Sequence, residues 1–304
     1  MKIAVIGAGA LGLYYGAQLQ RSGHSVRFLL RRDYQAIREK GLTVISPQGD
    51  FHLDKVRCAL DSAELGPVDL VLVGLKTFAN HRLVELVAPL MQGETCVLTL
   101  QNGLGNEELL AEAFGAERVL GGIAFLCCNR GVPGVVHHLG QGRIRLGEFC
   151  GGLSDRAASL ASLFSDAGVP CEAVADLQRA RWEKLVWNIP FNGLCALTGK
   201  TVTELLAHGD TRREIQSLMA EVIAAGNAQN LSCPIDAAPF IAQMISATED
   251  MHDYRPSMMI DRLEGRPLEL EAIYGIPLAR AAEGQVEMVR VAMLKALLDL
   301  GEKD

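Results

Sequence analysis

Apolar residues run without interruption from Ile3 to Ile6, break at Gly7-Ala8-Gly9-Ala10-Leu11-Gly12, and resume with helical spacing at Leu13, Tyr14, Ala17 and Leu19. A short β-branched run bounded by glycines predicts a buried parallel strand, and the spacing after it predicts a helix. The same type of run recurs at 25–30, 69–75 and 95–100, with further strands near 119–125, 134–138 and 142–147. Residues 43–45 and 51–56 read as a hairpin around Pro47-Gln48-Gly49-Asp50. Asp33 is placed to cap a helix over 34–40.

From Asp176 onward the period changes to that of helices. Residues 176–197 are apolar around most of the helix, with Trp182, Leu185, Val186, Trp187, Ile189 and Phe191, and Asp176 is placed as the N-cap. Lys184, Asn188 and Asn192 stand at i, i+4 and i+8 and so form one polar stripe. Polar groups on a buried helix are costly unless paired, so the stripe should face a polar cavity, a ligand or a buried polar network. Pro190 removes an N–H and crowds the carbonyl of Val186, which predicts a kink between the asparagines. An amphipathic helix follows over 211–230, with a T-x-x-E box at Thr211 and Glu214. Phe240, Ile241, Met244 and Ile245 mark another helix, Ser257 can cap one running through Asp261 and Leu263, and a turn at Gly275 leads to a last helix ending near Leu300.

The first break carries the clearest chemistry. G-x-G-x-x-G after a strand and before a helix is a dinucleotide-binding arrangement. Gly7 permits the tight turn, Gly9 lets the pyrophosphate approach the backbone, and Gly12 allows the helix to pack against the strand. The N–H groups of Ala8, Ala10 and Leu11 lie around the helix N-terminus, which favours anions. After the second strand, where an acidic residue would read a ribose hydroxyl, stand Arg31-Arg32. A guanidinium pairs with a 2′-phosphate, so NADP is preferred over NAD, with Arg31 as its contact. Lys76 and Asn102 follow strands at the rim where ligands of such sheets bind, and are cofactor candidates. The fold class expected is α/β, an N-terminal Rossmann-type NADP-binding domain over 1–170 followed by an all-helical domain over 171–304.

Composition narrows the partners. A net charge of -7 in 304 residues argues against a nucleic-acid binder, and no apolar run is long enough for a membrane span. The eight cysteines form no C-x-x-C pair, so we expect reduced, mostly buried thiols in a cytoplasmic protein and no metal site.

Taken in order, GAGALG, the strand-end LKT, QNG, the glycine-rich stretch from His137 to Glu148, K-L-x-x-N-x-x-x-N at 184–192, and S-M-x-x-D followed by E-L-E resemble the ketopantoate reductase (2-dehydropantoate 2-reductase) family over nearly the whole chain. The resemblance implies NADPH-dependent reduction of 2-dehydropantoate to (R)-pantoate in pantothenate and coenzyme A biosynthesis. It implies that Lys184 is the proton donor, that Asn188, Asn192 and Ser257 hold the substrate, and that Glu269 contacts the cofactor ribose. It places Arg31, Lys76 and Asn102 with the cofactor. A further asparagine found in some members has no counterpart, Val202 being nearest. Two other readings stay open, a reductase of another branched or aromatic 2-oxo acid and a non-catalytic NADP(H)-sensing protein. The partners expected are a small 2-oxo acid and, for assembly, a second copy in a homodimer.

Overall fold

The computed structural model describes residues 1–302. The chain separates into two compact units, one of Met1–Gln101 and Asn106–Leu177, the other of Asn102–Gly105 and the residues from Gln178 on. In chain order the first unit holds β1 (Lys2–Ile6), α1 (Ala10–Arg21), β2 (Ser25–Leu29), α2 (Tyr34–Lys40), β3 (Leu42–Ile45), β4 (Phe51–Leu53) and β5 (Arg57–Ala59). It continues with β6 (Leu70–Val73), α3 (Leu83–Val87), β7 (Cys96–Thr99), α4 (Asn106–Phe114), β8 (Val119–Arg130), β9 (Val135–Glu148), α5 (Asp155–Asp166) and β10 (Cys171–Ala173).

These strands form one ten-stranded sheet in the order β4-β3-β9-β8-β7-β6-β1-β2-β5, with β10 beside β9. Strands β5 through β8 run parallel, and β9 turns antiparallel to β8. Alternation divides β1 and β6 between two cores: Ile3, Val5, Leu70 and Leu72 face one, Ala4, Ile6, Val71 and Val73 the other. Both faces are covered, which is why these strands read as continuous apolar runs rather than alternating ones. Chain order reverses between β1 and β6, the switch point where open α/β sheets bind ligands beyond the strands' carboxyl ends.

The second unit is helical: α6 (Leu177–Thr198), α7 (Val202–Ala207), α8 (Gly209–Asn227), α9 (Ala237–Glu249), α10 (Ser257–Leu263), a π-turn over Glu271–Gly275 that runs directly into α11 (Ile276–Glu283), and α12 (Val289–Asp299). Its core gathers Trp182, Leu185, Val186, Ile189 and Phe191 of α6 against Met219, Val222, Tyr274 and Leu294. A helix apolar almost all round is one surrounded by others, and α6 is such a helix. No helix among the described residues is long and apolar enough to cross a membrane.

Several local expectations are corrected. The boundary expected at 170 falls at Leu177, because Cys171–Ala173 pairs in parallel with 144–146 and so belongs to the sheet. Asp33 precedes α2 but makes no side-chain cap; its carboxylate accepts from the Gly134 N–H at 3.1 Å and pairs with Arg130. The T-x-x-E capping box is formed by Thr201 and Glu204 on α7. At Thr211 the helix has already begun: α8 starts at Gly209, and His208 Nδ1 accepts from the Thr211 N–H. The two strands expected over 134–147 are one, β9, bulged against β8, with Gln141 at φ 62° and Gly142 at φ 126°. Gly275 is no turn, since the π-turn joins α11 with helical backbone. Burial pushes the Cys128, Cys171 and Cys195 thiols up to about 12, which keeps them neutral; Cys150 and Cys233 are exposed.

Candidate active site

The glycine-rich turn after β1 has the geometry its sequence predicts. Gly7 sits at φ 86°, and a Cβ there would run into the backbone N of Leu75. A Cβ on Gly12 would lie 2.5 Å from the Gly7 carbonyl oxygen. Gly9 differs from both: its backbone is extended (φ -76°, ψ -162°), and a Cβ would meet nothing within 4 Å. The space in front of Gly9 is therefore open, while its two neighbours are closed by packing. Gly9 also occupies the N-cap of α1 with no side chain to cap it, and the first turn carries no acid. The leading N–H groups of Ala10, Leu11 and Gly12 thus present donors and a positive dipole end to that space.

Two basic positions stand at the ends of the flanking strands. Arg31 follows β2 and is exposed, and its side chain makes no hydrogen bond or ion pair among the described residues. Its neighbour Arg32 donates instead to the Gly131 carbonyl at 3.2 Å. Lys76 follows β6, where Gly74 N–H donates to Ile6 O at 2.8 Å and ties the end of β6 to the end of β1. The parallel register β2-β1-β6 accordingly brings Arg31, the Gly7–Gly12 turn and Lys76 to one edge of the sheet.

The second unit assembles the polar groups of α6. Lys184 is half-buried, and Asn188 and Asn192 are each 3% exposed. The Nδ2 of Asn188 is buried and has no hydrogen-bond partner. Tyr274 fixes the surroundings: its hydroxyl donates to the Ile189 carbonyl at 2.9 Å and lies 3.9 Å from the sulfur of Met258. That approach is possible because residue 193 is glycine, whose Cβ would stand 2.5 Å from the Tyr274 oxygen. Burial raises the Tyr274 pKa, so the hydroxyl stays protonated as a donor. Trp187 packs on Phe191 and Tyr254, with ring centroids at 5.1 and 6.1 Å, and donates to Thr248 Oγ1 at 3.0 Å. Through Tyr254 and Met258 the start of α10, with exposed Ser257, is held against α6. Glu269 is buried two residues before the π-turn, its carbonyl accepting from Ile273 N–H at 3.2 Å. Asn102, expected with the cofactor domain, opens the short segment of the second unit in which Leu104 N–H donates to Ala272 O at 2.9 Å and Gly103 packs on Ala272 at φ 81°.

Two family models account for the chain in succession, ketopantoate reductase PanE/ApbA over residues 3–151 and its C-terminal domain over 176–302. A 2-dehydropantoate 2-reductase from a Nostoc species is 43% identical, with 96% of this chain and 92% of that protein aligned. The crystal structure of 2-dehydropantoate 2-reductase from Geobacter metallireducens superposes with a TM-score of 0.97 at 57% identity, covering 99% of both chains. That from Methylococcus capsulatus gives 0.90 at 30% identity, covering 100% of this chain and 99% of the other. The chain belongs to the ketopantoate reductase family.

Within this ketopantoate reductase scaffold, sequence reasoning missed a chain of amides in the first unit. Thr99 Oγ1 donates to Gln101 Oε1 at 3.0 Å, Gln101 Nε2 to Asn80 Oδ1 at 2.7 Å, and Asn80 Nδ2 to Asn106 Oδ1 at 2.9 Å. Thr99 ends β7, and Asn80, Gln101 and Asn106 lie past the ends of β6 and β7. Gln101 opens the QNG motif and Asn106 follows it closely, but Asn80 is 21 residues from Gln101, and no local spacing announces the contact. Val202, the residue nearest to the asparagine that has no counterpart in this chain, is fully buried at the start of α7, its N–H donating to Tyr254 O at 3.4 Å. It serves the core.

Proposed function

We propose that the protein reduces 2-dehydropantoate to (R)-pantoate with NADPH. The observation that carries this reading is the buried Asn188 Nδ2 without a partner, in line with Lys184 and Asn192 on a helix whose other residues from Leu185 to Phe191 are apolar. A buried donor left unpaired in the protein is suited to an oxygen of a bound small molecule. The open space at Gly9, the uncapped start of α1 and the unpaired guanidinium of Arg31 fit a dinucleotide with a 2′-phosphate, with Lys76, Asn102 and Glu269 as further contacts. When bound, NADPH supplies the hydride.

The chain's own residues do the rest. The Lys184 ammonium stabilises the negative charge that develops on the substrate's ketone oxygen and gives that oxygen its proton. Asn188 and Asn192 donate to carboxylate or hydroxyl oxygens without adding charge, and Ser257 contributes a hydroxyl beside them. Ile189, Phe191 and Trp187 keep the surroundings apolar, which strengthens each of these interactions. A place in pantothenate biosynthesis and a cytoplasmic setting go with this reading. The test is NADPH consumption against a panel of 2-oxo acids. Preference for 2-dehydropantoate is expected, and equal or better turnover of an aromatic 2-oxo acid would reassign the substrate.

A further inference from the structure

The neighbours of the Tyr274 hydroxyl have one thing in common. The oxygen donates to the Ile189 carbonyl at 2.9 Å, lies 3.9 Å from the sulfur of Met258, and stands 2.5 Å from where a Cβ on residue 193 would be. Each of these three residues directly follows one that the proposed function assigns to the substrate: Ile189 follows Asn188, Gly193 follows Asn192, and Met258 follows Ser257. Ile189 and Gly193 are one turn apart on α6, so they form the row next to the amide stripe, about 100° around the helix. Tyr274 is presented by the π-turn, where Ile276 N–H donates to Glu271 O in an i→i+5 bond, and Glu269 stands two residues before that turn. Such turns within helices are frequent at functional sites.

We propose that Tyr274 is the positioning residue of the substrate site, its hydroxyl fixing where Asn188 and Asn192 on α6 stand relative to Ser257 at the start of α10. The inference rests on the assignment of those three residues to the substrate. Packing alone does not call for the hydroxyl. Tyr274 is fully buried among apolar side chains, where a phenylalanine ring would fill the same space. Nor does α6 call for it: the helix is continuous through Gly193, whose N–H is the regular partner of the Ile189 carbonyl. A hydroxyl in such surroundings costs free energy unless its bond is made, and the bond made here is a second donor to one chosen carbonyl. A hydrogen bond fixes distance and direction, whereas apolar contact fixes little beyond proximity. The ring is a rigid plate, so what it fixes at Ile189 it also fixes at Met258. Gly193 completes the arrangement, because any side chain there would push the hydroxyl off the carbonyl. Tyr274 touches no substrate in this account. It acts through the residues that do.

Steady-state kinetics of wild-type and Tyr274→Phe proteins test this, with 2-dehydropantoate and with 3-methyl-2-oxobutanoate, the same acid without its hydroxymethyl group. Thermal melting and NADPH binding are measured on the same samples. Tyr274→Phe removes one oxygen and keeps the ring, so melting temperature and NADPH affinity should stay near the wild-type values. The KM for 2-dehydropantoate should rise about tenfold with a smaller change in kcat, because the groups that hold its oxygens no longer stand in register. The shorter acid offers one oxygen fewer, so its KM should rise less and the selectivity between the two acids should fall. Gly193→Ala, whose methyl would press on the hydroxyl, should raise the same KM, and its effect should shrink in the Tyr274→Phe background. A Tyr274→Phe protein with wild-type KM and selectivity would overturn the proposal, as would one whose activity on both acids falls equally with the loss of folded protein. A wild-type protein that reduces neither acid would overturn the functional reading, and this proposal with it.

Discussion

Asn188 carries a donor whose burial without an acceptor costs a folded protein about 1–3 kcal/mol. If that donor is kept for substrate, removing it should help stability and harm function. Asn188→Leu, close in volume, is expected to raise the melting temperature while lowering kcat/KM by about 10²-fold, the loss going with an unmade charge-assisted hydrogen bond. Melting and steady-state kinetics on one preparation check both halves; a destabilised variant with normal kcat/KM would make Asn188 a structural residue. Arg31 offers a second single-residue test. Its guanidinium is exposed and uncommitted, so Arg31→Asp should leave the fold intact, weaken NADPH at least tenfold and narrow the preference over NADH. Kinetics with both coenzymes decide it, and an unaltered preference would move the phosphate contact away from this strand end. Both residues stand out as candidates from type and spacing. The reason Asn188 is unpaired was not, because it depends on what surrounds α6.

At the scale of elements, the turn between β1 and α1 separates two roles that the motif alone merges. Gly7 is required by a left-handed backbone and by Leu75 behind it; Gly9 is required by neither. Gly7→Ala is therefore expected to destabilise the protein, whereas Gly9→Val should melt near the wild-type temperature and fail to bind NADPH. Calorimetric titration with the cofactor, alongside melting curves, reads the difference; normal NADPH affinity in Gly9→Val would remove the turn from the site. Strand and helix type were plain in the sequence because strands buried on both faces read as short continuous apolar runs, whereas helices show a period of 3.6. Ends and caps were not. T-x-x-E occurs at both Thr201 and Thr211, and only the paired geometry distinguishes the cap from the interior of a helix. Asp33 stands in the right place for a cap, but Arg130 and Gly134, a hundred residues along the chain, take its carboxylate instead. Gly193 reads as a flaw in a helix until Tyr274 is seen to occupy the space a Cβ would need.

At the scale of the whole molecule, we propose that the sheet of the first unit cradles the cofactor and that Lys184 on α6 of the second gives the proton. The division of labour means that its loss should not disturb the cofactor's cradle in the first unit. The single most direct measurement is NADPH-dependent reduction of 2-dehydropantoate by wild-type and Lys184→Met proteins, with melting and NADPH binding determined on the same samples. Methionine keeps the length of the side chain and avoids confusing a cavity with a lost proton donor. The expected result is wild-type turnover of this substrate and a kcat about 10²–10⁴-fold lower in Lys184→Met, with NADPH affinity and melting temperature nearly unchanged. A folded Lys184→Met protein that reduces 2-dehydropantoate at a near-normal kcat would contradict it.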